Sequence, residues 1–555
     1  DQQFFLLKYS EAAFDKLRDG YEWGLRRVMI YRFATLMVTI LCVIASGVLF
    51  VTIPKGFFPS EDTGQIFAFT EGPQDASFQS MADHQKMAAQ IIKDDPNVSD
   101  VNSFVGATGF SPALNNGRLF IQLKPRNERR LDADQVIQEL RPKLAQVPGM
   151  NTFMQSLQNI QLGGRLAKSA YQYTLQDADT DELYKYAQTM QARIAGAPGF
   201  QDVNSDLQLL NRQAVIDIDL DKAGLLGITM DQIRNTFYSA FGSRQISTIY
   251  EPSNDYEVIL ELDKAYQQSP EDLSRIYLKS SSGASVPLAA IAKLSSGVGP
   301  VTVNHQGQLP SVTIAFNLAP GVSLGTAVQG IAQLEREVNL PVTVNTGFQG
   351  NAQVFQDALK GQGLLLAAAI VVIYIVLGIL YESYIHPITI LSGLPAAGLG
   401  ALGTLMLFHQ DLSVIAIIGI VMLIGIVKKN AIMMIDFALE RQRVGHVSAD
   451  QAIFEACLLR FRPIMMTTMA AIMGGLPIAL GTGSGAELRR PLGLAVVGGL
   501  IVSQSLTLFI TPVIFLYLEK ARTMFSRDEA KDAQPAVAGA HGAPLDEHHA
   551  PLAGE

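Results

Sequence analysis

Lys428, Lys429, Asn430 and Asp436 stand inside an otherwise apolar run at residues 412–438, LSVIAIIGIVMLIGIVKKNAIMMIDFA. A charged side chain near the middle of a bilayer costs about 2.5–3.5 kcal/mol on insertion scales, so such residues face a bundle interior or a water-filled path and mark functional sites. A lysine held between spans needs a counter-charge, and a carboxylate that takes up and releases a proton supplies one. That exchange would couple proton flow to rearrangement of packed helices. The competing reading ends the span at Lys428, with the lysine pair marking the membrane interface. Residues 412–427 are short for a span of about 20 residues, and the apolar pattern resumes at Ala431. Arg460, Thr467 and Thr468 add polar candidates further along. Asp436 is the carboxylate clearly inside a span. It lies about 10 Å from Lys429 along a helix axis, too far for a direct ion pair. The lysine's partners are then on another polypeptide, or this segment does not titrate alone.

Other chemistries fail on motif grounds. There is no Gly-x-x-x-x-Gly-Lys-Ser/Thr loop, no Cys-x-x-Cys pair and no His-Glu-x-x-His, and Gly481-Thr482-Gly483-Ser484-Gly485 reads as a turn between spans. Without a nucleotide site, uphill transport draws on an ion gradient or a partner ATPase. No cofactor and no resident metal is expected. A formal net charge of −9 argues against a nucleic-acid partner. Cys42 and Cys457 lie in or beside apolar runs and far apart, so no disulfide framework is expected.

Apolar runs and charge set the organisation that must hold these residues. Residues 1–32 form a basic amphipathic stretch ahead of a span at 33–53, which places the amino terminus in the cytoplasm. Further spans are expected at 361–381, 387–408, 412–438, 463–480 and 492–518. Arg441, Arg443, Arg460 and Arg462 then share a cytoplasmic loop, and Lys520, Arg522, Arg527 and Lys531 follow the last span; Arg489 and Arg490 are an exception. The tail at 519–555 is rich in Ala, Pro, Gly and His and reads as disordered and cytoplasmic. Its His541, His548 and His549 read as solvated rather than ligating. The chain begins at Asp1 rather than at a methionine, which reads as an internal start: a fragment, a processed product or half of a split gene.

Between the first two spans lies a mildly acidic block. Strands at 65–70, 98–105, 118–123 and 151–157 with helices at 76–93 and 133–144 give a β-α-β-β-α-β order, that of a ferredoxin-like split βαβ unit, over 54–160. A second copy spans 161–211 and 301–355, with strands at 170–175, 201–207, 311–318 and 342–347 and helices at 181–194 and 324–338. Residues 212–300 form an insertion with a helix at 229–240 and a long hairpin around 242–262. Internal repetition of this kind is an architectural signal. The expected fold is a six-helix membrane bundle plus an α+β domain outside the cytoplasm.

Gly425-Ile426-Val427-Lys428-Lys429-Asn430-Ala431-Ile432, followed by Arg460-Phe461-Arg462-Pro463-Ile464-Met465-Met466-Thr467, resembles the resistance–nodulation–division (RND) multidrug exporters. So do Pro54-Lys55-Gly56-Phe57-Phe58-Pro59 and Tyr381-Glu382-Ser383-Tyr384. The likeness covers about residues 21–518 and only the carboxy-terminal half of such a protein. It implies a proton-driven drug antiporter of the bacterial inner membrane. It also implies a homotrimer, or a heterotrimer with a related protomer, sealed to a periplasmic adaptor and an outer-membrane channel.

By motif position Lys429, not Lys428, is then the relay lysine, with Asn430 beside it and Arg460 and Thr467 as the relay arginine and threonine. The family's paired intramembrane aspartates belong to the unmatched half. The two α+β repeats become porter subdomains around a substrate cleft, and 212–300 a docking subdomain whose hairpin reaches a neighbouring protomer. Phe104, Gly106, Gly109 and Phe110 fall at a gating loop, where glycines let the loop swing and phenylalanines give adaptable apolar contact. Met154 adds a soft, polarizable surface. The plainer alternative is a strand-ending loop whose phenylalanines fill a core. Copper and silver exporters of this kind use cleft methionines, whereas residues 65–70 contain none and Met81, Met87 and Met190 read as packing residues. Small-molecule drugs are therefore the expected substrates. The alternatives are a non-transporting or assembly subunit that needs a separate amino-terminal half, and an RND-type lipid or heavy-metal exporter.

Overall fold

The computed structural model describes residues 2–106, 113–160, 167–267, 269–300, 302–445, 447–483 and 485–532. Two compact units divide the chain: Asp1–Pro59 with Ala358–Glu555, and Ser60–Asp357. The first begins with α1 (Gln2–Ile30) and α2 (Arg32–Thr52), a 21-residue apolar helix of spanning length.

The second unit opens with β1 (Gln65–Glu71), α3 (Phe78–Lys93), β2 (Val98–Val105), β3 (Asn116–Leu123), α4 (Ala133–Leu144) and β4 (Asn151–Ser156). Ser77 caps α3 through the Ser80 N–H, and Asp132 and Gln135 form a reciprocal capping box on α4. The strands pair antiparallel in the order β2-β3-β1-β4. Period-two alternation splits β1: Ile66 and Ala68 pack on the helix side with Met81, Ile92, Val136 and Leu140, while Phe67 and Phe69 point to the opposite face.

β5 (Tyr171–Gln176), α5 (Thr180–Gly196) and β6 (Phe200–Ser205) start the second repeat. The chain then leaves through β7 (Asn211–Ile218), α6 (Leu220–Leu225), α7 (Met230–Phe241), β8 (Arg244–Tyr250), β9 (Asp255–Leu260), β10 (Tyr277–Lys279), β11 (Ser285–Pro287) and β12 (Ala292–Gly299). It returns through β13 (His305–Gln306), β14 (Leu309–Leu318), α8 (Leu324–Val338) and β15 (Asn345–Gln349). The order β6-β14-β5-β15 repeats that of the first sheet. Pairing of β7 with β12 closes the excursion, which has its own core of Ile228, Ile233, Leu273, Leu278 and Leu288. The last strand starts later than residue 342, because a turn from the Val344 N–H to the Pro341 carbonyl occupies its expected beginning.

The carboxylate of Asp95 in this unit accepts from the backbone and side chain of Asn97, each at 3.0 Å, and from Lys143 Nζ at 2.9 Å. Burial opposes its charge, but the two Asn97 donors and the lysine outweigh it and hold the carboxyl below its usual range. A depressed carboxylate contributes stability above its unfolded value, about pH 3.9, and that contribution vanishes as pH falls through the lower folded value. Asp95→Asn is therefore expected to flatten the acid limb of the unfolding midpoint below about pH 4, followed by circular dichroism. An unchanged acid limb would contradict this assignment.

The membrane unit resumes with α9 (Asn351–Tyr381), α10 (Ile385–Leu391), α11 (Leu394–Leu407), α12 (Val414–Gly445), α13 (Ala449–Leu480) and α14 (Ala486–Asp532). Among the described residues, six segments are long and apolar enough to cross a membrane. The span expected at 387–408 is interrupted at Ser392-Gly393, where Ser392 Oγ turns back to the Thr389 carbonyl and a Cβ on Gly393 would meet Thr507 at 2.8 Å. α9 and α13 begin well before their apolar runs, because a helix need not end where the bilayer does. For the same reason α14 continues to Asp532, through the first part of the tail expected to be disordered; residues 533–555 lie outside the described region. α14 packs along α11, α12 and α13, and small residues set the spacing. A side chain at Gly493 would collide with the α13 backbone at Ile478–Ala479. Tyr21 of α1 is buried, stacks on Phe461 and donates to the Leu508 carbonyl at 2.9 Å, which seats α1 on α13 and α14.

Candidate functional site

α12 is one continuous helix from Val414 to Gly445, so Lys428, Lys429, Asn430 and Asp436 all lie within it and no helix end falls at the lysine pair. At 1.5 Å rise per residue it is about 48 Å long. Glycines and β-branched residues on its packing side bring it against α14: a Cβ on Gly419 would touch the Leu492 backbone at 3.1 Å.

Asn430 is 6% exposed. Its Nδ2 donates to Thr468 Oγ1 of α13 at 3.2 Å and to Gln504 Oε1 of α14 at 2.9 Å. Thr468 Oγ1 donates to the same Gln504 oxygen at 2.9 Å. Three helices thus meet at one buried polar triangle, a costly arrangement in hydrocarbon unless each group is satisfied. Beside it lies a cavity of about 340 Å³ lined by Met422, Gly425, Ile426, Lys429, Asn430, Thr467, Thr468 and Ala471. Of the adjacent lysines, Lys429 lines this cavity and Lys428 does not. Lys429 is exposed and, among the described residues, its ammonium has no hydrogen-bond partner in this chain. Thr467 Oγ1 donates to its own helix at the Ile464 carbonyl, 3.1 Å away.

Arg460 stands apart from this group. Its guanidinium covers the Phe437 ring at 5.0 Å, and its buried Nε has no hydrogen-bond partner. It precedes Thr467 by about 10 Å of helix. Asp436 is exposed on α12. Lys429, Asn430 and Thr467 therefore share a cavity, and Arg460 and Asp436 lie away from its lining. Gln504 was not among the sequence candidates. Its signal was present all the same: an amide within the uncharged run 491–516, next to Ser503 and near Thr507 and Thr511.

In the second unit, the sheet face turned away from α3 and α4 carries phenylalanines from all four strands. Pairing sets Phe67 opposite Phe120 and Phe69 opposite Phe153. Ring centroids are 5.1 Å apart for Phe67–Phe120, 6.0 Å for Phe104–Phe120 and 6.2 Å for Phe67–Phe69. Phe104 and Phe120 are 54% and 44% exposed. Cations border the strip: Arg118 lies over Phe69 at 5.5 Å, and Lys168 is 5.9 Å from both Phe69 and Phe153 while bonded to Glu71 at 2.6 Å.

Gly106 ends β2 with φ +94°, donates its N–H to the Asn116 carbonyl at 3.0 Å and leaves only 3.0 Å between a would-be Cβ and the Phe78 ring. Gly109 and Phe110 lie outside the described residues. Met154, expected as a soft contact surface, is instead 2% exposed in the helix-side core, because alternation along β4 turns Phe153 to the aromatic face and Met154 away from it. Phe67, Phe69, Phe120 and Phe153 were missed from sequence; the i, i+2 spacing of Phe67 and Phe69 was the available sign. Among the described residues no group of three or more His, Cys, Asp and Glu is placed to hold a metal ion.

The family model for AcrB/AcrD/AcrF proteins matches residues 1–519. Two solved structures resemble the chain, each described as an X-ray crystal structure of a heavy metal efflux pump, in crystal forms II and I. The first is 24% identical with a TM-score of 0.80, over 92% of this chain and 53% of the pump. The second is 25% identical with a TM-score of 0.80, over 92% of this chain and 52% of the pump. The chain thus spans about half the length of the pumps it matches.

Proposed function

Since the chain belongs to the AcrB/AcrD/AcrF family of RND efflux transporters, we propose that it forms the carboxy-terminal half of an inner-membrane pump that exchanges protons for hydrophobic or amphiphilic compounds. The observation that carries the reading is the open cavity shared by Lys429, Asn430 and Thr467 on the face of a bundle of apolar helices, with a buried polar triangle behind it. A lysine without a hydrogen-bond partner among the described residues of its own chain is set to receive a carboxylate from outside it, and protonation of that carboxylate would release the lysine and let the helices shift. Arg460, held over Phe437, lies on the same helix as Thr467 toward the charged end of α13 and would serve proton exit.

The two α+β repeats would act as porter subdomains and the excursion 211–299 as a docking subdomain. The working unit would be a trimer, of this protein alone or with a related protomer, joined to a periplasmic adaptor and an outer-membrane channel. The α+β unit would be periplasmic and both termini cytoplasmic.

The aromatic strip supports an organic, apolar substrate: phenylalanine faces give large, sequence-tolerant contact area, and Lys168 and Arg118 give polar anchors. With Phe104→Ala and Phe120→Ala combined in the complete transporter, export of the fluorescent amphiphile Nile red from cells is expected to fall roughly tenfold, the scale of one lost apolar contact. Tolerance of copper and zinc should not change. A second reading, heavy-metal export, is favoured by what the two similar structures are described as. Metal tolerance conferred by the transporter, with Nile red export absent, would establish that reading in place of the first.

A further inference from the structure

Arg118 places a formal charge in the middle of the aromatic sheet face. It lies on β3, an inner strand of the order β2-β3-β1-β4, and pairing sets it opposite Phe69 on one side and Phe104 on the other. Alternation turns it to the same side as Phe120, two residues further on. It is half-buried, with its guanidinium 5.5 Å from the Phe69 centroid. A second cation reaches the same ring: Lys168 Nζ is 5.9 Å from that centroid, on a side chain 10% exposed. Packing does not require two like charges at one phenylalanine. An apolar residue at either position would extend the face without the cost of desolvating a charge.

The carboxylate at this end of the strip is Glu71, two residues after Phe69 on β1. Its Oε1 accepts from Lys168 at 2.6 Å and from Gln208 Nε2 at 2.7 Å. Lys168 also donates to the Ser205 carbonyl at 3.3 Å. Two cations thus stand here against one carboxylate, and Lys168 already holds that carboxylate. Among the described strand residues of this face, the other acidic one is Asp100 of β2, paired with Gln122, about 13 Å from Arg118 along β3. The face is positive where Phe69 meets Phe153 and negative at its opposite end, with Phe67 and Phe120 between. An elongated amphiphile with an anionic group gains by laying that group at Arg118 and its apolar body on the rings. A cationic group in the same place meets two like charges.

We propose that Arg118 is a specificity-determining residue which, with Lys168, makes this face select amphiphiles carrying an anionic group, a carboxylate or sulfonate, over neutral ones of the same shape. The proposal rests on the organic-substrate reading of the aromatic strip and adds the charge of the substrate to it. A guanidinium gives an anion charge-assisted hydrogen bonds, roughly twice as strong as neutral ones, and a ring-lined face of low dielectric strengthens them. Lys168 spends its bonds on Glu71 and the Ser205 carbonyl, so its part is the field it adds. Arg118 is the side chain whose loss the substrate registers. A guanidinium over a ring also stabilises the sheet itself, but that contribution alone predicts a loss independent of the substrate's charge.

The test uses the complete transporter in proteoliposomes and two fluorescent probes that share one skeleton: 8-anilinonaphthalene-1-sulfonate, an anion, and N-phenyl-1-naphthylamine, which lacks the sulfonate and is neutral. The native protein is expected to export the anion with the higher kcat/KM. Arg118→Gln should lower the anion-to-neutral ratio of kcat/KM roughly tenfold, the scale of one hydrogen bond to a charged group, and through KM rather than kcat. Arg118→Lys, which keeps the charge, should retain most of the ratio, and Arg118→Glu should fall below Arg118→Gln. Each variant is read as a ratio of two probes, so partial loss of folded protein cancels. If both probes are exported but Arg118→Gln leaves the ratio unchanged, or loses both probes equally, the proposal is overturned and Arg118 is a packing residue. If the native protein exports neither probe and confers copper tolerance instead, the organic-substrate reading has itself failed and takes the proposal with it.

Discussion

Replacing Lys429 by alanine is expected to abolish export by the complete transporter, by roughly 100-fold or more, the scale seen when a proton-transferring group is removed. Yield, oligomeric state and thermal midpoint should stay at native values, because Lys429 is exposed in this chain and has no hydrogen-bond partner among its described residues. The substitution removes a charge from the cavity wall and no packing contact from the bundle core. Lys428→Ala is the internal control. Lys428 lies outside the cavity lining, so its loss should leave most of the activity. Drug-accumulation assays at matched expression read both variants. Equal losses at the two positions would mean that the lysine pair acts as a general positive patch rather than through one side chain.

The largest stability effect is expected in the second unit, Ser60–Asp357. Arg129 has a side chain only 2% exposed and spends its donors on Asp62 Oδ1 at 2.6 Å and on the carbonyls of Lys124 and Leu131, both at 2.8 Å. Asp62 is 6% exposed and also accepts from the Gly64 N–H at 3.1 Å. Arg129→Leu would leave the buried Asp62 carboxylate with only the Gly64 N–H and a looser 3.6 Å contact to Arg126 Nε, and would orphan two carbonyls, at a cost of about 3–5 kcal/mol. Hydrogen exchange should show loss of protection around 60–66 and 121–131 before the rest of the unit. Removing Asp62 as well should recover part of the loss, since a missing pair is cheaper than a buried charge that has lost its closest partner, but not all of it, since the two carbonyls stay unsatisfied. A single-variant loss below about 1 kcal/mol would place the pair among solvent-screened contacts.

Much of this architecture is legible in the amino-acid sequence. The β-α-β-β-α-β order was visible because each amphipathic helix alternates with short strands, and the excursion between the halves of the second repeat showed as a segment with its own helix and hairpin. The spans were visible as apolar runs, although their helices extend past them, because hydropathy reports the bilayer and not the hydrogen-bond ladder. The break at Ser392-Gly393 was not marked by charge and passed as continuous helix.

At the site, Lys429, Asn430 and Thr467 stood out as polar residues in apolar surroundings. The Asn430–Thr468–Gln504 triangle did not, since its members are 36 to 74 residues apart and nothing local says which faces of α12, α13 and α14 meet. Met154 was misjudged for a related reason. Where both faces of a strand carry apolar residues, as Phe153 and Met154 do in NTFMQS, alternation gives two sets of residues without saying which set meets the helices.

Proton movement across proteoliposomes holding the complete transporter tests the central claim most directly. With a trapped pH-sensitive dye and an imposed gradient, addition of Nile red should start a proton flux in the native protein, and the Lys429→Ala variant should show none above empty vesicles. A Lys429→Ala protein that still moves protons in step with Nile red at the native rate would contradict it.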